Sequence, residues 1–405
     1  MRQSLRLTLF AGVLFLGVDV ATAQPARSFP AAPDLSAALA PVVMSDLAAG
    51  GVPGAVVLVG ANDRTVYRAA FGLRALEPAP APMSADDIFD LASLTKVVAT
   101  TTAVMQLVEA GRIQLDEPAA TYWPAFAANG KGAITIRQLL THTSGLAPDL
   151  DVLANWNGLE AGLDRAAATA PVRPAGAAFA YSDINFIVLG AIVARVSGEP
   201  LEAYVQRHIF EPLGMTDTGF DPPVSSLVRI AATDYEQGRL RWGEVQDPTA
   251  DRMGGVAGHA GVFSTADDLA RFARMLLHGG ELDGARILKP ETVALMTRPA
   301  VLPGGTRRGL GWDMSSAYSV GMDQAFGPSS YGHTGYTGCL LWIDPDTQSY
   351  LIILTSRLHP EGHGDVKLLR KDLGQLVGAL TKRSPATASL QAARSVSALG
   401  GRGAY

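Results

Sequence analysis

A single cysteine, Cys339, stands among the 405 residues. That excludes an intrachain disulfide framework and a cysteine-ligated zinc cluster. Basic residues are not in excess. The 33 Lys and Arg against 38 Asp and Glu leave a formal net charge of −5, the wrong sign for a nucleic-acid-binding face. After the N-terminus, no stretch of about 18 apolar residues runs without a charge, so no later membrane span is expected. Internal repeats and heptad arrays are missing. So is the Gly-x-Ser-x-Gly turn of α/β-hydrolases. What is present is a composition 48% hydrophobic and 18% charged, ample for a large core and unlike a disordered chain. The length suits two domains, or one large domain with an inserted subdomain.

The first residues read as a targeting signal. Arg2 and Arg6 precede the apolar run Leu7–Val18, and Ala21-Thr22-Ala23 supplies small residues where a signal peptidase cuts. Residues 1–23 are therefore expected to be a cleaved signal peptide, with an uncleaved N-terminal anchor as the alternative. The expected location is the periplasm or the exterior, an oxidising compartment in which Cys339 should be buried. Residues 24–34 read as a flexible leader and residues 381–405 as a disordered tail.

Between them, residues 35–380 should form one unit. Leu35–Leu47 has helical spacing. Ala55–Gly60 and Thr65–Phe71 are strand-like runs around Asn62-Asp63, a hairpin signal. Strand character returns at Gly338–Ile343 and Gln348–Leu354, around Asp344-Pro345-Asp346, and Gly364–Leu380 reads as a closing helix. The stretch from about 88 to 327 carries mostly helical patterns. The expected class is α+β: an antiparallel sheet built from both termini, flanked by helices, with an inserted helical subdomain. A site between sheet and insertion is the natural place for chemistry.

Of the six lysines, only Lys96 has a serine three residues earlier, in Ser93-Leu94-Thr95-Lys96. The helical run Val97–Ala110 follows, so both side chains share one face of a helix start. A helix N-terminus favours an anionic serine and disfavours a protonated lysine. A neutral amine there can take the serine proton. Alone, the tetrapeptide equally describes a capping serine and a solvated lysine. The second element is Tyr181-Ser182-Asp183, just before a buried helix. A tyrosine there can relay a proton if a cation such as Lys96 depresses its pKa; alone, it is a hydrogen-bonded core tyrosine. The third is Gly332-His333-Thr334-Gly335-Tyr336 on a C-terminal strand. Its small residues let a substrate backbone approach. The N–H groups of Ser93 and Tyr336 offer two halves of an oxyanion hole.

Other residues carry less. His259, in a glycine-rich loop, reads as structural or as lining the site. His142 and Ser144 read as loop hydrogen bonders, and Thr265–Asp268 as a helix cap. His359 and His363 are four apart, but Pro360 and Gly362 break the helix a metal pair needs. Arg357 reads as a surface ion pair or a substrate contact. Trp123 and Trp242 are core or pocket wall.

Taken in order, the three elements form a pattern. Tyr181 follows Ser93 by 88 residues, and His333 follows Tyr181 by 152. The pattern resembles the serine β-lactamase and penicillin-binding-protein superfamily, in its branch of class C β-lactamases, DD-peptidases and family VIII esterases. Ile88–Ala92, Leu139–Leu146, Pro212–Thr218 and Phe263–Leu269 are similar to family segments as well. With Gly254–Gly261, the chain looks most like the penicillin-binding-protein 4B-like subgroup. The resemblance spans roughly Leu35–Leu380. It implies an acylated Ser93, proton transfer shared by Lys96 and Tyr181, and an oxyanion held by the N–H groups of Ser93 and Tyr336. It implies substrate binding by Asp183, His333, Thr334 and Gly335, and neither a metal nor an organic cofactor.

Two departures stand out. Asp183 replaces the usual asparagine and cannot donate to a carbonyl unless protonated. His333 replaces a lysine and so loses a permanent charge. The expected function is a periplasmic DD-carboxypeptidase, penicillin-binding or β-lactamase-like acyl transfer through Ser93. An esterase on small esters, or a non-catalytic homologue, are the alternatives. Partners are expected to be limited to a small-molecule or peptidoglycan-peptide substrate. The protein is expected to be a monomer without a stable membrane anchor.

Overall fold

The computed structural model describes residues 32–382. The expected signal peptide, most of the leader and most of the tail lie outside the described residues. Helix α1 (Ala32–Ala48) opens the fold, starting inside the segment read as leader. It leads into β1 (Gly54–Ala61) and β2 (Arg64–Ala75). Asn62 and Asp63 join the strands with positive φ at both positions, the backbone twist that a tight hairpin demands.

Nine strands form one antiparallel sheet. The short β3 (Ala81–Pro82) ends one edge. On the other side of β1 lie β9 (Ser349–Thr355), β8 (Leu340–Asp344) and β7 (Tyr331–Thr334), then β6 (Asp313–Ser315), β5 (Arg307–Arg308) and β4 (Ala300–Val301). The central pairing is β1 on β9, where Val57 faces Ile353. First and last parts of the chain therefore meet in the middle of the sheet, as the sequence pattern implied.

Both faces of the central strands are buried, so their residues sort by parity. Val56, Leu58, Ile352 and Leu354 enter the core shared with the helical part. Val57, Val59, Leu351 and Ile353 face the other way, against α1 and the closing helix, whose buried residues include Leu369, Leu373 and Val377. That closing helix, α5 (Lys367–Lys382), runs past the Leu380 expected.

The helical part holds α2 (Thr102–Glu109), α3 (Asp183–Ser197) and α4 (Ala266–Leu277), with shorter helices between them. The sequence reading is corrected at its end. The sheet resumes at Ala300 with β4 to β6, inside the stretch to 327 read as helical. These strands are two or three residues long and set among glycines, too short to show a period of two. Among the described residues no single helix is long and apolar enough to cross a membrane.

One contact fixes how the helical part sits. The backbone at Gly258 lies against α3. A Cβ there would stand 2.0 Å from the Phe186 carbonyl oxygen and 3.0 Å from Gly190 Cα. The carbonyl of Gly258 accepts from Thr100 Oγ1 at 2.6 Å, so this loop is held from two sides. Gly258→Ala forces backbone away from backbone. It should lower unfolding stability by about 1–3 kcal/mol, as overpacking does, in urea titrations. An unchanged midpoint would refute the close approach.

Candidate active site

Ser93 lies in a helical turn (Ala92–Leu94), which passes into a π-helical turn (Lys96–Thr101) and then α2. The turn begins with an unusual residue. Ala92 has φ +46°, a left-handed conformation that costs a non-glycine residue and persists where surroundings hold it. Asp90 does the holding. One carboxylate oxygen accepts from the Ala92 N–H at 2.8 Å, the other from the Gln246 N–H at 2.7 Å. The Asp90 carbonyl also accepts from Thr337 Oγ1 at 2.7 Å. Burial raises the Asp90 pKa to about 6 against these N–H bonds.

Lys96 is fully buried. Its Nζ donates to Ser93 Oγ at 3.0 Å and to the His259 carbonyl at 3.0 Å. The third contact is Asp183 Oδ1 at 2.6 Å. Burial opposes the ammonium form, but the Asp183 carboxylate outweighs it, with help from Tyr181, and the pKa rises. This corrects the expected neutral amine. The reason is Asp183, which opens α3 and ion-pairs with Lys96 instead of lying free for a substrate amide.

Tyr181 is corrected as well. Its hydroxyl is within hydrogen-bond reach of Lys96 and Ser93, yet its pKa is raised. Burial raises it, Lys96 opposes, and the Asp183 charge adds to the rise. The group is a phenol at neutral pH. Its ring stacks on His142, centroids 4.4 Å apart, and Lys96 Nζ sits 5.1 Å from the ring centroid. His142 Nδ1 accepts from the Ser182 N–H at 3.1 Å. Burial, then the charges of Arg308 and Lys96, keep this imidazole neutral, its pKa well below normal. Ser144 Oγ donates to Asn185 Oδ1 at 2.5 Å, so Asn185 turns to this loop and away from Ser93. The hydrogen-bonding reading of His142 and Ser144 holds; the stacking beneath Tyr181 had no sequence signal.

The third element closes the site. Strand β7 ends at Thr334, so Gly335 and Tyr336 lie on a turn and not on the strand. Gly335 is required there: a Cβ would lie 2.4 Å from the Leu91 carbonyl oxygen, one step before the Ser93 turn. Arg357 clasps the turn, its Nε donating to the Tyr336 carbonyl at 2.6 Å and its Nη1 to the Gly364 carbonyl at 2.6 Å. Arg357 is thus a backbone clamp. His359 accepts the Leu76 N–H on Nε2, a structural bond remote from any metal pairing with His363.

His333 carries no permanent charge, as its exchange for a lysine implied. Its Nδ1 lies 2.8 Å from the Thr334 carbonyl. A carbonyl only accepts, so Nδ1 carries the proton and Nε2 is bare in the neutral ring. Burial, then Arg308 and Lys96, press its pKa well below normal. Arg308, a residue the sequence reading missed, brings a guanidinium to this wall, paired with Asp313 Oδ1 3.5 Å from its Nη1. Arg308 is fully buried, and its guanidinium lies 5.3 Å from the Phe179 ring centroid.

Ser93, Tyr181, His333, Thr334, Gly335 and Tyr336 line one cavity of about 420 Å³, together with Arg308, Tyr318 and Arg370. The structure thus gathers all the predicted residues in one place, with Asp183 behind Lys96. It is roomy enough for a peptide end or a small ester.

Behind Lys96, His259 Nε2 donates to Asp247 Oδ1 at 2.9 Å. Burial lowers the His259 pKa, but the Asp247 charge and hydrogen bond raise it further, for a net rise. Asp247 is correspondingly pulled to about 2. A raised histidine pKa stabilises the fold fully below its unfolded value near 6.5, and the gain fades as pH climbs through the folded value. A depressed carboxylate pKa stabilises above 3.8 and fades as pH falls through about 2. Asp247→Asn keeps a good cap for the helix at Pro248–Arg252 but removes the charge. The stability difference between wild type and Asp247→Asn should peak between about pH 4 and pH 6.5 and shrink on both sides. Thermal unfolding across pH checks this; a flat difference would contradict the pairing.

Comparison with known proteins agrees with this fold. A protein-family model described as beta-lactamase matches residues 39–375. A protein of Escherichia coli K12, provisionally named a D-alanyl-D-alanine carboxypeptidase, is 32% identical over 349 residues. The match covers 76% of this chain and 79% of that protein. Among solved structures, a penicillin-binding-protein homologue from Caulobacter crescentus superposes with a TM-score of 0.67 at 25% identity, over 86% of this chain and 99% of that one. EstCE1, a hydrolase with promiscuous acyltransferase activity, shares the fold with a TM-score of 0.69 at 23% identity, over 85% and 98%. The chain belongs to the beta-lactamase family, among the serine hydrolases of the beta-lactamase and penicillin-binding-protein superfamily.

Proposed function

We propose that this chain is a periplasmic DD-carboxypeptidase of the penicillin-binding type, working through an acyl-enzyme on Ser93. The observation that carries the reading is Ser93 Oγ at 3.0 Å from a fully buried Lys96 Nζ, at the wall of a cavity of about 420 Å³. Ser93 Oγ attacks the scissile carbonyl. The N–H groups of Ser93 and Tyr336 hold the oxyanion. Lys96 and Tyr181 handle the protons, and Tyr181, a phenol, is placed to protonate the leaving amine. Thr334 and Gly335 line the path of the substrate backbone. Water then releases the acyl group. The 32% identical carboxypeptidase-named relative supports the peptide substrate. The charged, apolar and small-residue sequence of the N-terminus supports export.

A second reading, an esterase, has its own support. Asp183 is taken up by Lys96 and offers no amide to an acylamino substrate, and His333 is neutral. Both features ask less of an ester than of a peptide end.

Intact mass after exposure to benzylpenicillin separates the readings, because a β-lactam mimics the D-Ala-D-Ala end. A lasting adduct that disappears in Ser93→Ala is the expected result. No adduct with the drug intact moves the assignment to the esterase. No adduct with the drug hydrolysed makes the protein a β-lactamase. An adduct that survives Ser93→Ala overturns the role of Ser93.

A further inference from the structure

We propose that Asp183 is the terminal proton acceptor of the acylation step, receiving a proton from Lys96 as Lys96 takes one from Ser93. The inference rests on the reading of Ser93 above and goes beyond it by adding a catalytic role for Asp183. It starts from the surroundings of Lys96 Nζ, which donates to Ser93 Oγ and the His259 carbonyl and ion-pairs with Asp183 Oδ1 at 2.6 Å, with the Tyr181 hydroxyl also in reach. An ammonium has three N–H bonds and no lone pair. As an ammonium, Lys96 cannot accept the Ser93 proton until one of its own has left. The His259 carbonyl cannot take it. Tyr181 is already a phenol. Asp183, at 2.6 Å, is the one contact of Lys96 that can bind a proton.

The remaining titratable groups facing Lys96 fit this division. His142 and His333 are neutral, and His259 is committed to Asp247 at 2.9 Å. The Asp183 N–H donates to the Pro148 carbonyl at 2.6 Å, which fixes the residue at the start of α3. The side chain is 21% exposed, while that of Lys96 is 0%.

The step balances. As the Oγ–carbon bond forms and the carbonyl π pair moves to oxygen, the Ser93 proton passes to Nζ and an Nζ proton passes to Asp183. When the tetrahedral species collapses, the bond to the leaving group breaks. The stored proton returns through Lys96, or through Tyr181, to the departing nitrogen or oxygen. Release of the acyl group by water repeats the sequence with the water proton in place of that of Ser93. An asparagine at this position can accept a hydrogen bond but cannot store a proton. The exchange of amide for carboxylate therefore changes the chemistry and not only the contacts.

The test is kcat/KM for p-nitrophenyl acetate as a function of pH, in wild type, Asp183→Asn, Asp183→Glu and Ser93→Ala, with thermal melts to establish folding. Loss of a general base costs about 10²–10⁴-fold. Folded Asp183→Asn should lose at least about 10²-fold near pH 7. It should recover as pH rises, because Lys96 must then shed its proton to solvent, so its acid limb moves above that of wild type. Asp183→Glu, which restores a carboxylate, should recover much of the neutral rate. Asp183→Asn with wild-type rate and limb overturns the proposal. So does an equal loss in Asp183→Asn and Asp183→Glu with an unmoved limb, which marks a structural role. Ser93→Ala that keeps its rate sinks the reading of Ser93 and this step with it. A dead Ser93→Ala beside an unaffected Asp183→Asn sinks this step alone.

Discussion

The buried charge of Lys96 is the constraint on which the site depends. An ammonium removed from water costs several kcal/mol unless hydrogen bonds and an opposite charge replace its hydration. Here the replacements come from three separate stretches of chain: the Ser93 turn, the loop at His259 and the start of α3. The rings of Tyr181 and Phe186 add their faces, 5.1 and 5.8 Å from Nζ. None of these groups is near Lys96 in an unfolded chain except Ser93. Folding of the helical part and completion of the Lys96 environment are therefore one event. The tight passage of Gly258 along α3 is the backbone form of the same requirement, because it sets where the His259 carbonyl stands.

The framework was legible in the sequence for reasons of period. The β1–β2 hairpin and the β8–β9 pair are long enough to show strand patterning, and turn residues bound them. Leu189–Val196 reads as a buried helix because apolar residues fill it and Gly198 follows it; the structure begins that helix at Asp183. The three motif elements were legible as residues, and the structure brings them to one cavity. What the sequence could not convey was who partners whom. Asp183 was read as a substrate ligand from its place in a triplet, but its partner is 87 residues away in Lys96. The protonation states followed that error. Proximity to a helix start argued for a neutral lysine, and a carboxylate at 2.6 Å overrides it. Strands β4 to β6 escaped notice because two residues contain no period.

Two histidines beside Tyr181 are held neutral. His333 and His142, whose ordinary pKa lies near neutral, are held neutral by burial with Arg308 and Lys96 close by, whereas the His259 pKa is raised by Asp247. On the opposite side, Asp247 is ionised down to about pH 2 by His259. Burial raises the Asp149 pKa to about 6, as it does that of Asp90. Asp149 accepts from Thr249 Oγ1 at 2.9 Å, on the acidic side of the cleft behind Lys96.

Asp90 then explains how two distant segments are kept in register. The proposed oxyanion pair needs the Ser93 and Tyr336 N–H groups at a set spacing, though they lie 243 residues apart. Asp90 touches both neighbourhoods. Its carboxylate holds the Ala92 N–H, and its carbonyl holds Thr337 Oγ1. The left-handed Ala92 is tolerated because that carboxylate pins it. Gly335 closes the gap, since any side chain there would strike the Leu91 carbonyl. One buried residue thus ties the turn bearing Ser93 to the turn after β7, and the sheet supplies the rigidity that a loop-built pair would lack.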